Sequence, residues 1–338
     1  ATAASEVPPS PGARQARTET ADPDSSSADT RDDESWLRAR AEELLRGCQV
    51  AAADGTRIYT PDGKGNYRAL WTRDFAYMVE NAGDLLPVEA TEACLRMLLR
   101  GVREDGAAPD RVRPDGVAVF VAGPEDRPIG EPNIDNAQFL VIAADEHARR
   151  VEPARRTTLL AEWLPVLVRA MDWIPRSETG LVWNDPAKPH SPYGFTDCIG
   201  KTGELLFESL LYHEASRRLA RLLEESGKGP DAARFAERAV RIEKGIGVLW
   251  DESEGAFLAA TRDCRQLDVW GNAYAVWIGF PLGERRERVL RFLFDRRDRY
   301  LFRGQVRHLL VGEHWERLLL PVEKERYQNG AYWATASG

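Results

Sequence analysis

Residues 183–201 read WNDPAKPHSPYGFTDCIGK, and what this stretch can form decides how the chain is organised. Its three prolines remove backbone donors and clash with the preceding turn, so it does not continue a helix. With two carboxylates (Asp185, Asp197), one histidine and three aromatic rings, it is too rich for a plain linker. It runs straight into Lys201 to Glu225, where Leu205, Leu206, Leu210, Leu211, Ala215, Leu219 and Leu222 recur at helical spacing. Ordered irregular segments on a rigid helical frame are where binding and catalytic groups collect.

Working outward, the same alternation recurs. Ser35 offers an N-cap for a first helix through Trp36, Leu37, Ala41, Leu44 and Leu45. The turn-rich block ADGTRIYTPDGKGNYRALWTRD then delivers Trp71, Arg73 and Asp74 to a helix beginning at Phe75. A helix over 88–102 follows. A second long loop, 104–134, carries Asp110, Arg111 and a strand-like run from Val117 to Ala122, and empties into a helix whose mouth holds Asp135 and Asn136. A helix over 154–173 contains Pro165, which predicts a kink. Beyond Glu225, helices are expected over 231–250, over AYAVWIG (273–279) and over 283–295, with a hairpin in WDESEGAFLAATRD ahead of Asp268 and Trp270. RYQNGAYWATASG at the end resembles another loop mouth with Asn329, Tyr332 and Trp333. The expectation is an all-α domain of helical hairpins, with β-hairpin excursions in its long loops, stacked as a solenoid or a toroid.

Residues 1–34 are Ser, Thr, Ala, Pro and Asp with almost no apolar content, so they are expected to be a disordered tail ahead of a folded domain over 35–338. The chain has 338 residues, 43% of them hydrophobic, enough for a large core. A formal net charge of -8 argues against an extended nucleic-acid footprint. No apolar run has the length of a membrane span, so a soluble protein in a reducing, cytoplasmic setting is expected. Cys48, Cys94, Cys198 and Cys264 form no CxxC pair and read as free thiols.

The loop mouths gather Trp71, Arg73, Asp74, Asp110, Arg111, Asp135, Asn136, Asp185, Tyr193, Asp197, Lys201, Trp270, Asn329 and Trp333. Flat rings stack on sugar faces, while carboxylates and amides take up hydroxyls. Glycosidic hydrolysis needs one protonated carboxylic acid and a second carboxylate. Each residue also has a plain structural role open to it: an Asp before a helix caps it, a Trp packs between helices, and Arg73 beside Asp74 makes an ion pair. Nothing points to a cofactor, for there is no phosphate loop, no nucleophile elbow and no histidine pair at metal spacing.

LWTRDFAYM (70–78), EPNIDNAQF (131–139), ETGLVWNDP (178–186) with YGFTD (193–197), and YQNGAYW (327–333) together resemble the six-hairpin glycosidases. These are (α/α)6 toroids that include glucoamylase-, trehalase- and rhamnosidase-like hydrolases. The resemblance implies a carbohydrate substrate, sugar binding by Trp71, Arg73 and Asp74, a general acid at Asp197 with Asp185 as the next candidate, and inversion. It also implies a general base in a later loop, expected beyond Gly338, so that the toroid is expected to be incomplete. A sugar epimerase or lyase on the same scaffold, or an inactive carbohydrate-binding protein, are the alternative readings.

Overall fold

No glycine or proline interrupts the chain between Ser26 and Arg46. In the computed structural model, which describes residues 26–332, helix α1 accordingly fills Ser26–Gly47. Ser35 therefore lies inside α1 rather than capping it. Of the expected tail, residues 1–25 lie outside the described residues. The chain divides into two units at Glu43/Leu44. In the first, residues 32–40 of α1 are exposed, with ion pairs from Arg38 to Glu42 and from Arg40 to Glu43.

The second unit is built on eight further helices among the described residues: α2 (Thr72–Ala82), α3 (Val88–Arg100), α4 (Asn136–Ala148), α5 (Pro153–Trp173), α6 (Leu206–Glu225), α7 (Gly229–Gly245), α8 (Val269–Trp277) and α9 (Arg285–Asp295). Contacts sort them into two sets. Helices α2, α4, α6 and α8 pack on one another in that order, and α3, α5, α7 and α9 pack outside them. Helix α4, at the middle of the inner set, has no solvent stripe: every residue except Glu146 is buried, polar Asn136, Gln138 and Asp145 included. A helix apolar or paired on all sides belongs at the centre of a bundle. Pro165 lies within a single continuous α5.

Strands occur as short excursions, as expected. They are β1 (Gln49–Ala51) with β2 (Arg57–Tyr59), a three-stranded sheet of β3 (Leu70–Trp71), β4 (Arg111–Val112) and β5 (Ala118–Val119), then β6 (Trp183–Asn184) with β7 (Gly203–Glu204), β8 (Trp250–Asp251) with β9 (Ala256–Phe257), and β10 (Leu301–Phe302) with β11 (Gln305–Val306). Asp115-Gly116 makes the β4–β5 turn, with Gly116 at φ +87° as such a turn requires. The named strands all pair antiparallel.

The pair β6–β7 corrects the expected helix start at Lys201. Trp183 faces Glu204 and Asn184 faces Gly203, so residues 201–205 close the base of the loop and α6 begins only at Leu206. Gly203 at φ +85° breaks the helical path there. Asn184 fastens the loop from within, donating to the carbonyls of Lys201 (2.7 Å) and His190 (3.0 Å) while accepting from His190 N–H (2.8 Å). The four cysteines are free and buried.

Candidate active site

The inner helices all begin beside carboxylates: Asp74 in the first turn of α2, Asp135 before α4, Glu208 in the first turn of α6, and Asp268 before α8. Only Asp268 behaves as a cap, accepting from Gly271 N–H at 2.8 Å. Asp135 makes no such bond; it turns to Arg73 instead.

Arg73 organises the first half of the site. Its guanidinium is buried and spans Asp110 (2.8 Å), Asp135 (3.4 Å) and the Asn136 side-chain oxygen (3.0 Å). The fork geometry of arginine suits such divergent acceptors. Burial works against its charge, but Asp135, Asp110, Asp197 and Asp74 outweigh it and raise its pKa. Arg111 pairs with Asp110 at 2.7 Å and lays its guanidinium over the Trp71 ring, 4.6 Å from the centroid. Strand pairing of β3 with β4 places Trp71 opposite Arg111, so the sheet sets this stack. Thr72 ties the start of α2 to the same loop through Asp110 O and Pro109 O.

Two carboxyl groups near Arg73 are only partly buried. Asp74 is pushed up to about 6 by burial, with Arg73 opposing and Asp110 adding to the rise. Asp197 is also raised, again first by burial, against Arg73 and a hydrogen bond from Gln328, with Asp110 reinforcing the rise. A carboxyl group that keeps its proton nearer neutrality is what acid catalysis on a glycoside requires.

The second half lies under Tyr193 and Trp270. Lys201 and Glu208, both buried, pair at 3.0 Å, and Glu208 also accepts the Tyr193 backbone N–H at 2.7 Å. Both ends of the 193–201 segment are thus pinned to one carboxylate on α6. Burial raises Asp268, with Lys201 opposing and Glu208 adding; burial and Lys201 together hold His308 neutral, well below its ordinary pKa. Tyr193 links the halves: its ring stacks on Phe207 (4.1 Å) and meets Trp270 edge-on (6.3 Å), while its hydroxyl bonds that of Tyr77 (2.7 Å).

Of the residues expected from sequence, Trp71, Arg73, Asp74, Asp110, Arg111, Asp135 and Asn136 assemble around Arg73, and Asp197 lies within its electrostatic reach. Lys201 and the Tyr193 backbone meet at Glu208, and Trp270 packs against the Tyr193 ring. Asp185 stands apart: it is exposed and accepts from Ala187 N–H, two residues on, at 2.9 Å. Its place is the local turn. Asn329 is buried and committed to the chain itself, accepting from Trp315 N–H (3.0 Å) and donating to Val322 O (3.0 Å). Trp333 falls outside the described residues. Sequence reading missed Glu208, His308, Tyr77 and Gln328. An open cavity of about 630 Å³ beside Arg100, Arg103, Glu104 and Asp54 shares no residue with this cluster.

The fold so described is that of the (α/α)6 helical toroids, and solved structures share it. The GH63 mannosylglycerate hydrolase from Thermus thermophilus superposes with a TM-score of 0.64 at 17% identity, over 89% of this chain and 85% of that one. The glucoamylase from Saccharomycopsis fibuligera gives 0.57 at 15%, over 90% and 71%. The GH78 rhamnosidase of Bacillus sp. GL1 gives 0.56 at 18% over 76% of this chain, which spans only 26% of the rhamnosidase's length. At these identities the likeness is one of fold. No protein-family model and no curated protein matches the chain. Among the described residues no helix is long and apolar enough to cross a membrane, and no His, Cys, Asp and Glu group could hold a metal ion.

Proposed function

We propose that this chain is a glycoside hydrolase-like enzyme that cleaves a terminal glycosidic bond, with Asp197 as the general acid. The observation that carries the reading is Asp197 itself: a partly exposed residue whose carboxyl group is raised in pKa by burial, close to Arg73 and the carboxylates Asp110, Asp135 and Asp74, with Arg111 stacked on Trp71 beside them. Protonated Asp197 gives its proton to the leaving oxygen as the bond from the anomeric carbon breaks. Water adds to that carbon and yields its proton to a second carboxylate. With inversion, the first-formed sugar carries the opposite anomeric configuration.

Trp71, half-buried with Arg111 over one face, is the ring offered to the sugar, Trp270 backs the site as a buried ring packed on His308, and Asp74 is the carboxyl group placed to take up hydroxyls. The solved structures with this fold include a mannosylglycerate hydrolase, a rhamnosidase and a glucoamylase, which makes small terminal glycosides the first substrates to try. The test is a panel of mannosides, glucosides and rhamnosides followed by product analysis. A new reducing end that disappears in Asp197→Asn supports the reading. An unsaturated or isomerised product, or turnover unchanged in that variant, overturns it.

A further inference from the structure

The loop bearing Asp197 is held by a segment far away in sequence. Ile199 bridges Leu318, Leu319 N–H donates to Cys198 O (2.8 Å), and Gly200 N–H donates to Arg317 O (2.9 Å). This strap returns through a tight turn at Arg326–Asn329, whose Tyr327 takes a left-handed φ of +43°. Non-glycine residues hold that conformation only where surrounding structure imposes it. The residue it presents is Gln328, 1% exposed.

The Gln328 amide makes two bonds to consecutive residues. Its Oε1 accepts from Cys198 N–H at 2.8 Å, and its Nε2 donates to Asp197 Oδ1 at 2.5 Å. The first bond fixes the sense of the second. Cys198 N–H can only donate, so it demands the oxygen end of the amide, and the NH₂ end must face Asp197. An NH₂ group in turn cannot accept, so Asp197 Oδ1 cannot hold a proton directed at it.

We propose that Gln328 is a positioning residue that selects the proton-bearing oxygen of Asp197: Oδ1 is kept as acceptor, and Oδ2 carries the proton. Its role as an aid to hydrolysis rests on Asp197 being the general acid; its effect on the Asp197 carboxyl does not. The other groups facing Asp197 are Arg73 from α2, Asp110 from the loop before β4, the Cys198 backbone N–H, which also favours the ionised form, the Cys198 thiol, and Tyr327 on the strap. Since the donated bond favours the ionised form, losing it moves the Asp197 titration upward. Burial raises this carboxyl, and Gln328 is one of the groups restraining the rise.

The experiment is a carbon-13 NMR titration of the protein with its Asp side-chain carboxyls labelled, without substrate, the Asp197 signal being the one absent from Asp197→Asn. Gln328→Met removes both bonds at similar volume. Gln328→Glu keeps the acceptor for Cys198 N–H and replaces the donor with a second carboxyl group, so the proposal stays testable if the Met variant fails to fold. The Asp197 midpoint is expected to move to higher pH in each folded variant, and furthest in Gln328→Glu. A midpoint unchanged from wild type in either folded variant overturns the proposal. In the activity arm, kcat of Gln328→Met falls about tenfold, the worth of one charge-assisted hydrogen bond, and the alkaline limb of its pH profile moves up. Wild-type protein that hydrolyses no glycoside while its Asp197 signal still responds to Gln328 sinks the glycosidase reading and upholds the clamp.

Discussion

Replacing Arg73 by methionine removes the cation from the centre of the site while roughly keeping its volume. Asp110 and Asp135 are wholly buried, and the guanidinium lies 2.8 Å from one and 3.4 Å from the other. Arg111 still pairs with Asp110 at 2.7 Å, which limits the damage on that side. Breaking a buried ion pair by deleting one partner costs about 3–5 kcal/mol, because the remaining charge loses its compensation. A domain of this kind is stable by about 5–15 kcal/mol in all, so the loss is a large share of the total. At about 2 °C per kcal/mol for a chain of this size, Tm falls by roughly 6–10 °C. Equilibrium urea unfolding at pH 7 measures the loss as a lower midpoint at unchanged slope. The double variant with Asp135→Asn recovers part of it, since the neutral amide no longer needs the cation, giving a coupling of about 1–3 kcal/mol. A methionine variant within about 0.5 kcal/mol of wild type, or strict additivity of the two changes, would refute the role given to Arg73.

Asp74→Asn tests the raised carboxyl through pH. Its folded pKa of about 6 exceeds the ordinary 3.8, so the associated stability is fully present below 3.8 and is lost as pH rises through 6. The asparagine variant is therefore more stable than wild type above pH 6, by on the order of 1 kcal/mol, and the advantage disappears on acidification; thermal melting at pH 4 and 7.5 reads it. Glu208→Leu frees the Tyr193 N–H and leaves Lys201 buried without its partner, costing about 3–5 kcal/mol; denaturant unfolding measures it, and a loss under about 1 kcal/mol contradicts the double anchoring. Asp185→Ala removes only a turn bond at the surface, so stability changes by about 1 kcal/mol or less and any hydrolytic rate stays within about twofold; a rate collapse measured on a responsive glycoside would restore Asp185 to the chemistry.

Much of this was legible because turn chemistry and side-chain type travel together. Asp-Gly pairs marked the β1–β2 and β4–β5 hairpins, and the prolines of 183–201 marked an irregular loop, so Arg73 and Asp135 were placed at helix mouths and Asp197 in the loop ahead of α6. The start of α6 was misread because Leu205 continues the apolar register into residues that pair as a strand instead; Gly203, with its positive φ, was the available signal. Glu208 was hidden for a related reason. It interrupts LLFESLL as though it were on a solvent face, yet α6 is an inner helix with no such face along its first turns. A charge there must be paired, and its partner is Lys201, seven residues earlier. Gln328 stood inside YQNGAYW, but nothing local tells which of Gln328 and Asn329 reaches outward. That depends on the turn, which buries Asn329 in bonds to the strap and sends Gln328 to Asp197. Pairing over 131 residues of separation has no periodicity from which to read it.

The most direct measurement compares wild type and Asp197→Asn on two glycosides of the same sugar, one with an ordinary alcohol as leaving group and one with fluoride. An alkoxide must be protonated as it leaves and fluoride need not be. With Asp197 as general acid, the variant loses about 10²–10⁴-fold in kcat on the alkyl glycoside and little on the fluoride. Equal losses on both substrates, or no loss on the alkyl glycoside, would contradict the account.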